Sequence, residues 1–307
     1  MLRLLLLWVS GNAFLARNLP RFRFVRSAVR RFLPGETTEA ALSEAVRLKG
    51  SRIGSILALL GEDVVDPQEA LKIVDHYCEL LKEIDRQNLN LEISVKLTQL
   101  GADLGKDFVS TNLESILLLA EKLDLFVWID MEDSSYVDVT LDIYKSARLQ
   151  HKNTGLCVQA YLYRAADDLE GLLPFNPAIR LVKGAYAEPK ELAFPRKSDV
   201  DRNYVKLSLR LLDVVAEGNA RAAFATHDEA ILVKIRQEAK ARGISPNEVE
   251  FQMLYGINRA EQERLAAEGH NMQVVISYGP AWFSWYMRRL AERPANLWFV
   301  IRKMMSD

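Results

Sequence analysis

Polar side chains interrupt this chain where its apolar runs give out, and they are of few kinds. Lys96 and Gln99 close ISVKLTQ; Asp130, Glu132 and Asp133 close LFVWIDMED; Gln159 and Arg164 close LCVQAYLYR. Arg180, Lys183 and Tyr186 flank IRLVKGAY, His227 and Asp228 follow AAFAT, and Gln252 lies within VEFQML. A lysine among apolar neighbours needs a partner, because an unpaired buried ammonium is costly. Asp130 and Glu132 can hold and orient Lys96, Arg180 and Lys183. Singly, each residue has a plainer use: Lys96 can snorkel, Asp130 can cap a helix, His227 can bond a loop carbonyl. Five or six runs ending alike share no such explanation.

Residues 282–292 (WFSWYMRRLAE) carry the sharpest pattern. Arg288 and Glu292 are four apart and Arg289 and Glu292 three apart, so two cations and a carboxylate share one helix face. A solvated salt-bridge face has the same spacing. Beside Trp282, Phe283 and Trp285 the set suits a small zwitterion, with guanidinium forks for a carboxylate and Glu292 for an ammonium. An amino acid carries that charge map. The sequence has no GxGxxG after a strand, no GxxxxGK[ST], no HExxH and no GxSxG. Its histidines, His76, His151, His227 and His270, neither cluster nor adjoin cysteine, so a catalytic zinc is not indicated.

Such scattered residues need a scaffold that brings strand ends together. Eight short apolar runs read as strands: 55–60, 91–97, 125–130, 156–161, 179–183, 222–226, 249–254 and 273–277. Between them the apolar rhythm is helical. Residues 67–88 place Leu71, Val74, Tyr77, Cys78 and Leu81 on one face, started by Pro67 after Asp66. Residues 112–123, 135–150, 166–173, 201–217, 229–242 and 259–268 read similarly. This is the pattern of an α/β protein with a (β/α)8 TIM-like barrel, whose chemistry belongs at the carboxyl ends of the strands. An open doubly wound sheet is the alternative, but it leaves edges and usually has fewer strands.

With 49% hydrophobic and 26% charged residues in 307, the chain is neither disordered nor an integral membrane bundle. The net charge of -1 excludes a chain-wide field for nucleic acid, yet it hides an asymmetry. Residues 1–35 hold seven arginines and no acid, which leaves 33 basic and 41 acidic residues beyond them. The reading therefore divides the chain into an arginine-rich arm and helix, 1–49, and a catalytic barrel, 50–307. The apolar run 4–9 is shorter than a signal-peptide core of roughly 7–15 residues, and no stretch reaches the roughly 18 a membrane span needs. Cys78 and Cys157 have neither disulfide-framework nor zinc spacing. A reducing, cytoplasmic location is expected.

Seven ordered segments then carry a family resemblance. They are SVKLTQLG (94–101), IDMED (129–133), VQAYLYR (158–164), RLVKGAYAEPKE (180–191), FATHD (224–228), FQMLYG (251–256) and RRLAE (288–292). They resemble the successive motifs of the monofunctional bacterial proline dehydrogenases. The resemblance implies a distorted (β/α)8 barrel holding non-covalent FAD, and oxidation of L-proline to Δ1-pyrroline-5-carboxylate by hydride transfer to flavin N5, the first step of proline catabolism. It implies that electrons pass to a membrane quinone and that a separate pyrroline-5-carboxylate dehydrogenase acts downstream. Arg288 and Arg289 would clamp the substrate carboxylate, Glu292 and Lys96 would complete the site beneath a capping terminal helix, and Asp130 would anchor the cations. Tyr186 and Leu254 would line the pocket. Arg180 would lie by the flavin ring, with Gln159, Lys183, Gly184, Thr226, His227 and Gln252 around the cofactor.

Two positions depart from the family. Val275 and Trp285, both at the substrate pocket by this resemblance, stand where relatives commonly have tyrosine. Loss of a ring at Val275 leaves room for a substituted substrate such as hydroxyproline; Trp285 can instead fill that space. A Schiff-base lyase or aldolase using Lys96 or Lys183, with Asp130 moving protons, is the competing enzyme. A non-catalytic amino-acid-binding barrel is the third reading. The arm is expected either to dock on anionic lipid at the inner face of the cytoplasmic membrane or to pack against the acidic barrel.

Overall fold

A parallel sheet needs a crossover between successive strands, and eight such units can close with no exposed edge. The computed structural model describes residues 32–283 and Tyr286. Its strands are β1 (Gly54–Leu59), β2 (Glu92–Val95), β3 (Val127–Ile129), β4 (Thr154–Gln159), β5 (Ala178–Val182), β6 (Arg221–Ala225), β7 (Glu250–Leu254) and β8 (Asn271–Tyr278). Each pairs in parallel with the next, and β8 returns to β1, closing the barrel. The expected (β/α)8 fold is the observed one.

The helices are α1 (Thr38–Lys49), α2 (Pro67–Arg86), α3 (Lys106–Lys122), α4 (Val137–Gln150), α5 (Ala165–Leu172), α6 (Lys197–Ala216), α7 (Glu229–Ala241) and α8 (Arg259–Ala267). Pro67 opens α2, and the Asp66 side chain accepts from Gln68 N–H at 2.9 Å. That helix buries Ala70, Val74, Tyr77, Leu80, Leu81 and Ile84, whereas Leu71, expected on the inner face, is exposed. The true stripe steps from 70 through 74, 77, 81 and 84, and Leu71 lies off it. Helix α3 begins six residues earlier than the apolar rhythm suggests. Gly105, at φ 123°, turns the chain into it, and the polar first turn conceals the start. Helix α1 lays Ala41, Leu42, Ala45 and Leu48 into the same apolar cluster as Ile53 and Leu57 of the barrel wall.

Among the described residues the sheet separates two apolar clusters. One is the large shell between strands and helices. The other is small and internal: Ile56, Trp128, Ala178 and Ala223, with Phe126 and Val275 packed on it. Because side chains alternate across a strand, Ser94, Asp130, Arg180 and Gln252 share the inner face with this cluster. Room for Trp128 comes from Gly155, where a Cβ would lie 2.5 Å from the indole.

Candidate active site at the carboxyl ends of the strands

Asp130 follows the last residue of β3, its N–H donating to Val95 O on β2 at 2.9 Å. That bond sets the carboxylate between neighbouring strands. Oδ2 receives Lys96 Nζ at 2.7 Å; Oδ1 receives the Ser94 hydroxyl at 2.7 Å and Arg180 Nη1 at 2.8 Å. One carboxylate thus braces two cations and a hydroxyl. Burial alone would raise the Asp130 pKa, but the adjacent Lys96 and Arg180 charges hold it below the ordinary value. Burial likewise opposes the Lys96 ammonium, yet Asp130, Tyr186 and Glu132 raise its pKa above that of a free lysine. Lys96 is therefore a fixed cation.

Arg180, only 5% exposed, is held on three sides. Nη1 also donates to Ser94 Oγ at 2.9 Å, Nε donates to Gln252 Oε1 at 2.6 Å, and the guanidinium carbon lies 4.7 Å from the Trp128 ring centroid. Its Nη2 is buried without a partner. Gln159, 3% exposed, donates from Nε2 to the carbonyls of Met131 and Glu132, both at 2.8 Å, and its Oε1 is likewise buried and unpaired. A buried donor and a buried acceptor left open in one barrel are what a bound polar ligand would satisfy.

Around this centre stand the other expected residues. Lys183 Nζ pairs with Asp201 at 2.5 Å and Asp228 at 2.9 Å. Gly184 sits at φ 116°, and a Cβ there would lie 2.3 Å from the Tyr161 ring, so glycine alone fits. Thr226 Oγ1 accepts from Asp228 N–H at 3.2 Å. His227 Nε2 accepts from Leu254 N–H at 2.9 Å, which leaves that nitrogen unprotonated. Tyr186 OH donates to Glu62 in the loop after β1, at 3.3 Å. Val275 lies in register with Leu254 on β7 and Ile56 on β1. Trp285, Arg288, Arg289, Glu292 and most of the arm lie outside the described residues.

Some polar residues serve the framework instead. Glu132, 3% exposed, accepts from Thr98 N–H at 3.0 Å and Thr98 Oγ1 at 2.6 Å, and among the described residues it pairs with no cation. Burial pushes its carboxyl up to about 7, against the pull of Lys96 and Thr98. Gln99 accepts from Tyr77 OH at 3.1 Å and donates to Leu59 O at 3.0 Å. Arg164 pairs at the surface with Asp138 and Asp168. Ser94, Asp201 and Glu62 received no role from the sequence. Ser94 was accessible to parity, two residues before Lys96 on one strand face; Asp201 and Glu62 reach the site from a helix and a loop, with no periodic signal.

Residues 41–302 match the Proline dehydrogenase family. Among curated proteins, "Proline dehydrogenase 1" of Bacillus subtilis is 39% identical over 307 residues, the whole of both chains. "Proline dehydrogenase" of Deinococcus radiodurans is 36% identical, covering 90% of this chain and 89% of that one. Among solved structures, proline utilization A (PutA) from Bdellovibrio bacteriovorus, inactivated by N-propargylglycine, superposes with a TM-score of 0.83 at 24% identity. The match covers 95% of this chain and 36% of that one.

Proposed function

The chain belongs to the proline dehydrogenase family and oxidises proline, and from that premise we propose that it does so on non-covalent FAD, giving Δ1-pyrroline-5-carboxylate and passing electrons to a membrane quinone. The observation that carries the cofactor reading is the pair of buried, unpaired polar atoms, Arg180 Nη2 and Gln159 Oε1. A flavin ring offers both acceptors and donors at its edge, so the residues fit it. Lys183, Gly184, Thr226 and His227 would hold the remainder of the cofactor. When bound, FAD supplies the hydride acceptor.

The protein's own part is to bind, orient and set charge. Asp130 keeps Lys96 ionised and holds Arg180 in place before substrate arrives, so little reorganisation accompanies the reaction. Arg180 presents a positive edge that would stabilise negative charge on a reduced ring. Arg288 and Arg289 would clamp the proline carboxylate and Glu292 would face its amine, with Tyr186, Leu254 and Trp285 shaping the cavity. Val275, in register with Leu254, would leave that cavity roomier than a tyrosine does, and tolerance of hydroxyproline belongs to the same proposal. A quinone acceptor agrees with an acid-free arginine arm suited to the inner membrane face, and among the described residues no helix is long and apolar enough to cross a membrane. A separate pyrroline-5-carboxylate dehydrogenase would take the product.

The lyase reading fares worse on charge. A Schiff-base lysine must spend time as a neutral amine, whereas Asp130 holds Lys96 charged, and the Lys183 nitrogen is already engaged by Asp201 and Asp228. Anaerobic mixing with proline tests the choice. Purified protein should be yellow and its band near about 450 nm should bleach on adding proline. Colourless protein that borohydride traps on its substrate would overturn the proposal.

A further inference from the structure

A (β/α)8 interior is ordinarily filled by branched apolar side chains. Below the mouth of this barrel a closed polar circuit runs beside the small apolar filling. Arg180 Nε donates to Gln252 Oε1 at 2.6 Å, and Gln252 Nε2 donates to Glu250 Oε1 at 2.7 Å. Glu250 receives Arg221 twice, Nε at 2.8 Å and Nη2 at 3.0 Å. Arg221 Nη2 also donates to Glu92 at 2.6 Å, and Glu92 accepts from Trp128 Nε1 at 2.6 Å. Trp128 completes the circuit, with both guanidinium carbons against its ring, at 4.7 and 5.0 Å.

The Gln252 amide has a polar sense that its neighbours dictate. Arg180 Nε can only donate and the Glu250 carboxylate only accepts, so the oxygen must face Arg180 and the NH2 must face Glu250. Gln252 is 1% exposed and Glu250 2%, so both contacts are shielded from bulk solvent. On its other side Arg180 is fixed at Nη1 by Asp130 and Ser94. A guanidinium tied at Nη1 alone could turn about that point. The second tie, at Nε, sets its plane and leaves Nη2 as the unpaired edge.

We propose that Gln252 and Glu250 are positioning residues, which orient Arg180 from beneath so that its Nη2 edge is presented to the bound flavin. The proposal rests on the FAD reading above and places Gln252 under Arg180 rather than on the cofactor. Its loss therefore acts through the flavin as well as through stability.

The test is the flavin midpoint potential of the holoenzyme, measured by spectroelectrochemistry alongside thermal melts. Arg180→Leu sets the scale by removing the charge outright, and it should lower the potential. Gln252→Met, similar in volume, should favour oxidised over reduced flavin about tenfold, a fall of about 30 mV for a two-electron couple. Exchanging the groups, Glu250→Gln with Gln252→Glu, keeps one amide and one carboxylate and still offers Arg180 Nε an acceptor. That double variant should return towards the wild-type potential, and it provides a second reading if Gln252→Met folds poorly. Glu92→Gln, which touches Arg221 and Trp128 but not Gln252, should lower the melting temperature and leave the potential unchanged. If Arg180→Leu leaves the potential unmoved, Arg180 is not beside the flavin and the reading falls with the proposal. If Arg180→Leu lowers it while Gln252→Met does not, or if Glu92→Gln lowers it equally, the positioning role alone is overturned.

Discussion

Arg180 and Arg221 lie against the same tryptophan and are put to opposite uses. Arg221, at the amino-terminal end of β6, spends its donors on Glu250 and Glu92. Arg180, in the middle of β5, pairs with Asp130, Ser94 and Gln252 and keeps Nη2 unpaired. At the floor the carboxylates outnumber the cation, and burial together with the neighbouring Glu250 raises the Glu92 pKa. Nearer the mouth the cations outnumber the carboxylate, and Asp130 is held ionised. The difference is one of saturation: the floor is closed on itself, whereas the mouth keeps a buried donor in reserve. Conservation at a strand's amino end of such a barrel would report stability, and at its carboxyl end chemistry.

The largest effects should separate these arginines along different axes. Arg221→Met leaves the buried Glu250 and the half-buried Glu92 without their cation and should cost about 3–5 kcal/mol in urea unfolding. Arg180→Met leaves Asp130 with Lys96 and Ser94, so about 1–2 kcal/mol of stability should go. Proline oxidation should instead fall by about a hundredfold or more, the loss expected for a preorganised charge at a reacting group. Equal losses of stability in the two variants would break the comparison.

The acids offer a smaller contrast. Asp130 gains from ionising because two cations meet it, whereas Glu132, bonded to Thr98, is pushed up to about 7 by burial. In the folded chain Glu132 keeps its proton above the ordinary 4.5, so the native state binds more protons than the unfolded one between about 4.5 and 7. Its contribution is present below 4.5 and is lost as pH rises through about 7, with an upper bound of ~3 kcal/mol. Urea midpoints across that range should show a downward slope that Glu132→Gln flattens. An unchanged slope would mean that Glu132 is ionised throughout and groups with Asp130.

Much of this architecture was legible because barrel strands are short apolar runs, and the residues that end them stand out. Lys96, Asp130 and Arg180 were visible in that way. Their pairing was not: Asp130 meets partners 34 and 50 residues away, and only strand register brings them together. Gln252 was expected around the cofactor, but its polar atoms face Arg180 and Glu250, a fact that depends on the level it occupies in the barrel. Glu92, Arg221 and Glu250 open their strands, where a charged residue reads as solvated. Glu250 is buried and Glu92 and Arg221 half-buried because closure of the sheet gathers them, which no single strand announces.

The last contrast concerns the shelf the two arginines share. Trp128 is fully buried, and the wall beside it is Gly155, whose Cβ would meet the indole at 2.5 Å and the Ala178 carbonyl at 3.1 Å. No φ constraint marks this glycine, so Gly155→Ala tests space alone. The indole would have to shift, carrying Glu92 with it through the Nε1 bond and changing the surface beneath Arg180. Overpacking of this kind costs about 1–3 kcal/mol. A shelf serving both arginines should also cost some proline oxidation, by a factor smaller than that of Arg180→Met. Stability lost with kcat unchanged would instead assign Trp128 to the floor, leaving Arg180 held by its hydrogen bonds.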